Sequence, residues 1–137
     1  MKRKTAFILL FLSLIFSQTL HAAGPAAGLM PYQDSSAYQQ YQKRPKNDLS
    51  KILYLMDRFK GAPLKVIYDQ TEYETSVALQ YARDYVAKHY HKENAVNWVR
   101  ENAYRSVGGS VIYVKYPDGK KRELREALVE ELKQIEK

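Results

Sequence analysis

Regular apolar spacing begins only at Leu49, and nothing beyond it can be stapled, because the sequence holds no cysteine. Packing alone must therefore hold the fold. A chain of 137 residues has enough surface to bury for one modest core and not two.

The N-terminus reads as an address. Lys2, Arg3 and Lys4 precede an apolar run from Phe7 to Phe16 broken only by Ser13, and Gln18 and Thr19 lead to small residues at Ala22 and Ala23. This order is that of a cleavable signal peptide, residues 1–22, cut between Ala22 and Ala23. The run is well short of the roughly 20 apolar residues a membrane-spanning helix needs, so the reading predicts no transmembrane segment after processing. With no cysteine at the new N-terminus, lipid attachment there is excluded. The expected location is the periplasm.

Three of the seven net positive charges belong to that leader, leaving +4 on the processed chain. A charge of this size gives a weak pull toward an anionic envelope polymer or lipid surface and does not make a nucleic-acid binder.

Residues 23–46, "AGPAAGLMPYQDSSAYQQYQKRPK", are rich in Gly, Pro, Gln, Ser and Tyr and keep no period of 2 or 3.6. Too little apolar surface is available to offset the entropy of ordering them, so a flexible linker is expected. Tyr32, Tyr38 and Tyr41 beside Lys43, Arg44 and Lys46 would otherwise make a basic aromatic patch for an anionic sugar or lipid. Composition without a geometric code favours a solvated tail.

Residues 47–137 are expected to form one domain. Asn47 or Asp48 can cap a first helix, with Leu49, Ile52, Leu53, Met56 and Phe59 on one face and Gly61 and Pro63 ending it. "LKVIY" at 64–68 reads as a strand. Thr71 and Glu74 have capping-box spacing, which predicts a second helix from there. That helix carries two apolar rows, Val77, Tyr81, Tyr85 and His89 beside Ala78, Ala82, Val86 and Tyr90, and so a broad face to pack. Asn94 can open a third helix running to about Tyr104, with Val96, Val99 and Ala103 at helical spacing.

The glycine pair in "RSVGGSVIYVKYPDGKK" raises the matter of a phosphate loop. Phosphate-binding glycines follow a strand and precede a helix, so that helix N–H groups face the anion. Here Gly108 and Gly109 follow a helix and precede the strand "VIYVKY" at 111–116, which predicts a helix C-cap instead. Pro117, Asp118 and Gly119 form a turn, the basic triplet 120–122 continues as an extended segment or leads directly on, and a last helix starts near Glu123. Leu124, Leu128, Leu132 and Ile135 give it a narrow apolar stripe.

No constellation carries a reaction. His89 and His91 with Glu93 in "HYHKE" are two apart and do not share a helix face, and a third histidine or a thiolate is missing from the processed chain, so no metal site and no cofactor is expected. Ser106 and Ser110 sit in a glycine-rich turn outside any strand-to-helix nucleophile context. The carboxylate pairs Glu72 and Glu74, and Glu93 and Glu101, have no assignable separation. Tyrosine is the unusual residue, with twelve in the chain. Tyr81, Tyr85, Tyr104 and Tyr113 fall where periodicity expects buried or half-buried positions, and they are the candidate binding residues if they line a groove for a peptide or glycan.

"ILYLMDRF", a short strand before "TEYETSVALQYA", then "NAVNWVRENA", a glycine-serine turn into "VIYV", and "YPDGKKRELREAL" follow one another in an order that resembles the YfeK-like family of small exported bacterial proteins of unknown function. The likeness spans Ile52 to Ile135. It implies a periplasmic address and an α+β domain, and no reaction. The family shows Asn-Gly after its first strand and a histidine in its second helix; the matching positions here are Asp69, Gln70 and Tyr81.

The expected architecture is thus α+β, a two-stranded antiparallel sheet packed against about four helices in the order α-β-α-α-β-α. The expected function is a periplasmic binding or protein-interaction module whose partner is an envelope protein or anionic envelope polymer. A small hydrolase acting on envelope material is the alternative, using a cleft of Asp69, Glu72, His89 and Ser110. A further one is an inhibitor of a secreted enzyme, anchored by a loop at 117–121.

Overall fold

The computed structural model describes residues 29–137; the leader at 1–22 and the first part of the expected linker, 23–28, lie outside the described residues. A 3-10 turn at Tyr32–Asp34 leads into α1 (Ser36–Lys43) and α2 (Asp48–Phe59). Strands β1 (Lys65–Tyr68) and β2 (Thr71–Glu74), helices α3 (Thr75–His89) and α4 (Ala95–Asn102), strands β3 (Tyr113–Lys115) and β4 (Lys121–Glu123), and α5 (Leu124–Ile135) follow.

Two helix starts are set by the residues the sequence points to. The Asn47 side chain accepts the Ser50 N–H at 2.9 Å, and that of Asn94 accepts the Asn97 N–H at 3.1 Å. Each satisfies a donor that the first helical turn leaves unpaired. Asp48 does more than favour the α2 dipole: its Oδ1 accepts the Ala95 N–H at 2.9 Å, pinning the start of α4 to that of α2.

The segment expected to be a flexible linker is in part a packed helix. Ser35 caps α1 by accepting the Tyr38 N–H, and Ala37 and Tyr41, one turn apart, are buried. The Tyr41 ring lies 5.6 Å from that of Tyr54, which is wholly buried in α2. One aromatic ring and one small residue are enough to seat a short helix where aliphatic residues are scarce.

The sheet has four strands in the order β2-β1-β3-β4, all antiparallel, and not the two expected. The two strands read from sequence, β1 and β3, do pair antiparallel, at its centre: Lys65 lies opposite Lys115 and Ile67 opposite Tyr113. The missed strands are short and polar, "TEYE" and "KRE", and form the two edges. Thr71 and Glu74 belong to β2, so the capping box does not form and α3 begins at Thr75. Ladder hydrogen bonds to β1 supply those backbone groups with partners a helix would otherwise have provided.

The core has two parts. One gathers Ile52, Tyr54, Leu55, Leu79, Trp98, Val99, Val129 and Leu132 from four helices; the other places Phe59, Leu64, Val114 and Ala127 beneath the sheet. Leu64 and Val114 alternate toward the helices while Lys65 and Lys115 point away. On α3 one expected row faces inward and the other does not: Ala82, Val86 and Tyr90 are half-buried against the core beside buried Thr75 and Leu79, whereas Val77, Tyr81 and Tyr85 are exposed. Leu49 is likewise exposed at the start of α2. Among the described residues no helix is long and apolar enough to cross a membrane.

Candidate functional site

The most constrained surface lies where two chain reversals meet. A two-residue loop joins β1 to β2, since Tyr68 pairs with Thr71, and both of its residues take positive φ, 48° at Asp69 and 67° at Gln70. That is the geometry of a type I′ hairpin, normally filled by Asn-Gly, and it costs a side-chain-bearing residue free energy. Strained backbone of this kind persists only when its surroundings hold it.

The second reversal does the holding. Helix α4 stops at Asn102, and a bridge between Arg105 and Val111 closes a short loop, with Ser106 N–H bonded to the Ser110 carbonyl at 2.8 Å. Gly108 and Gly109 are therefore in a hairpin-like turn and do not cap a helix. Gly109 supplies the positive φ, +87°, that the turn requires. The buried Ser106 hydroxyl donates to Asp69 Oδ1 and accepts the Ser110 N–H at 3.2 Å. The Val107 N–H donates to the Tyr68 hydroxyl at 3.1 Å. A side chain at Gly108 would put its Cβ 3.0 Å from Asp69 Oδ1, a tight contact that the Asp69 carboxylate would have to shift to relieve.

Between these fixed points the Val107 side chain is 98% exposed. Arg105 stiffens the loop from below, donating to the Gly109 carbonyl at 2.8 Å while its guanidinium lies 4.6 Å from the Tyr104 ring. The Ser106 hydroxyl is committed to Asp69 and Ser110, and among the described residues no histidine hydrogen-bonds to them.

The residues of the imagined hydrolytic cleft are dispersed. Asp69 and Ser110 meet through Ser106, but Glu72 pairs with Lys115 at 2.7 Å on the open face of the sheet, a hydrogen bond that lowers its pKa. His89 instead lies against the Tyr85 ring at 4.4 Å. Glu93 accepts the His91 N–H, and backbone N–H donors, its own first, hold its carboxyl below the ordinary value. Among the described residues no group of three or more His, Asp or Glu is placed to hold a metal ion.

The four candidate tyrosines do not stack on one another among the described residues. Tyr81 is the most exposed, at 71%, on the outer face of α3. Tyr85, one turn on, donates to Asn102 Oδ1 at 2.9 Å and leans on Trp98. Tyr104 is half-buried with the Arg125 guanidinium 3.5 Å above its ring, and Tyr113 stands on the open sheet face. The turn at 117–121 is stabilised by Asp118 Oδ1 accepting the Lys120 N–H at 2.9 Å.

Sequence reasoning passed over Asp69 with Ser106 as a pair, and over Val107. A signal existed for the first: an Asp directly after a strand and before a polar residue is turn chemistry. Comparison with family models, curated proteins and solved structures gives no match.

Proposed function

We propose that this chain is an exported, non-catalytic binding module of the periplasm, and that it engages a protein partner through the joined loops at 68–71 and 105–111. The observation that carries the reading is Val107, almost fully exposed on a loop whose neighbouring positions are fixed by hydrogen bonds. Displaying an apolar side chain to water on a rigid support lowers the ordering cost of binding, which is the physical requirement of a recognition loop. The leader supports the address. The inhibitor reading fits the same observation, with the anchor at Val107 in place of the loop at 117–121.

The test is site-specific photo-crosslinking in exporting cells, with a benzophenone side chain at Val107 and, as control, at exposed Arg100. The expected result is one stoichiometric protein adduct from position 107, lost in Ser106→Ala and absent from position 100. No adduct at 107, or turnover of an envelope substrate by the purified protein, overturns the reading. N-terminal sequencing of the exported protein is expected to begin at Ala23.

A further inference from the structure

Strand β4 lies at the edge of the sheet, and its outer side has no partner among the described residues. The bonds from Leu124 N–H to the Ile112 carbonyl and from Tyr116 N–H to the Lys120 carbonyl, both 2.9 Å, place residues 120, 122 and 124 as the set bonded inward. Antiparallel alternation then turns the N–H groups of Lys121 and Glu123 and the carbonyl of Lys121 outward. A row of unpaired strand groups is a template for another extended chain.

A groove runs beside this edge. It has a volume of about 290 Å³ and is lined by Arg122 of β4, by Glu126, Val129, Glu130, Lys133 and Gln134 of α5, and by Lys137 just beyond that helix. Val129, 4% exposed, gives it an apolar part. Gln134 is 9% exposed, and its Oε1 has no hydrogen-bond partner among the described residues. A buried acceptor left unpaired calls for a donor, and a peptide N–H or side-chain amide entering the groove supplies one.

Charge says what kind of peptide. Arg122 and Glu130 form an ion pair, and Arg125 is shared by Glu123 at 3.2 Å and Glu126 at 3.6 Å, which leaves about one carboxylate to set against the free lysines. Lys120, Lys121, Lys133 and Lys137 are exposed and have no ion-pair partner among the described residues. The uncompensated charge around edge and groove is positive, which steers and retains an acidic segment.

We propose that β4 and α5 form a docking groove for an extended acidic segment of a partner protein, which adds to the sheet as a fifth strand beside β4. This surface shares no residue with the joined loops and stands independently of the function proposed for them.

The test uses the exported protein, isotopically labelled for NMR, and the probe peptide acetyl-Thr-Val-Glu-Val-Asp-Val. Saturable shifts and slowed amide exchange are expected at Lys121 and Glu123, with affinity falling as salt rises. Glu123 has φ −57°, a value proline adopts, and its N–H is among the outward ones. Glu123→Pro is therefore expected to weaken the probe by about tenfold or more, and Glu123→Ala by about threefold or less. Gln134→Met, which keeps the side-chain length and removes the acceptor, is expected to weaken it also and to remain folded. The basic counterpart acetyl-Thr-Val-Lys-Val-Lys-Val-amide is expected to bind at least about tenfold more weakly. Absence of saturable shifts, shifts centred on β2, equal affinity for the basic peptide, or unchanged affinity in both Glu123→Pro and Gln134→Met overturns the proposal. Edge protection that appears without peptide and tracks protein concentration overturns it in favour of a second copy of this chain.

Discussion

Arg58 and Glu131 form an ion pair out of reach of water: Nε lies 2.9 Å from Oε2, and the two side chains are 1% and 2% exposed. It ties α2 to α5 across the middle of the core. The Tyr54 hydroxyl approaches the same carboxylate oxygen at 3.5 Å, and a second guanidinium nitrogen donates to the Met30 carbonyl. The pair thus also fastens the chain ahead of α1 to the body of the fold.

Removing one partner alone leaves a buried charge uncompensated. Arg58→Met is expected to lose about 3–5 kcal/mol in chemical denaturation, and Glu131→Leu a similar amount. The double variant is expected to lose far less than the sum, because no isolated charge remains. Additive losses in the cycle would show that the pair does not act as a unit.

Burial holds Tyr54 neutral to higher pH than an ordinary tyrosine, with the neighbouring Glu131 charge adding to the effect. The unfolded chain releases that proton near 10, while the folded chain keeps it. The contribution is therefore complete below that pH and is lost as pH rises above it. Burial shifts Tyr90 and Tyr116 the same way. Alkaline denaturation curves are expected to fall less steeply in Tyr54→Phe than in the parent; identical slopes would place the alkaline loss elsewhere.

The loop at Asp69 and Gln70 stores strain that the Ser106 hydroxyl offsets. Gln70→Gly, at φ 67°, is expected to stabilise by about 1 kcal/mol. Ser106→Ala removes the donor to Asp69 and the acceptor for the Ser110 N–H together, and is expected to cost about 1–3 kcal/mol. Thermal melts of both variants check this, and a neutral Ser106→Ala would mean that the two loops are not fastened there.

Helix α1 belongs to the core in proportion to what it buries. Tyr41→Ala is expected to cost about 2–4 kcal/mol and to raise amide exchange through α1. Exchange in α1 already as fast as in a free peptide, with stability unchanged, would return the segment to the status of a linker.

How far the sequence reached depends on the kind of signal each element carries. Helix α2 was legible because Asn47 caps it and Ile52, Met56 and Phe59 repeat on one face, and β1 because "LKVIY" is apolar between turn formers. The two edge strands were not, since "TEYE" and "KRE" bury little and take their state from the neighbour that supplies their hydrogen bonds. Helix α1 was missed because Tyr41 is buried against Tyr54, a residue in another helix.

Local spacing alone determined that this chain would be an α+β fold without disulfides, with caps at Asn47 and Asn94, because capping, periodicity and turn chemistry act within a few residues. Tertiary structure alone decided that Asp69 would meet Ser106, that Arg58 would be buried against Glu131, and that β4 would end as an open edge beside a groove. Each of those joins residues 37 or more positions apart or depends on which strand has no further neighbour, and no local preference encodes either.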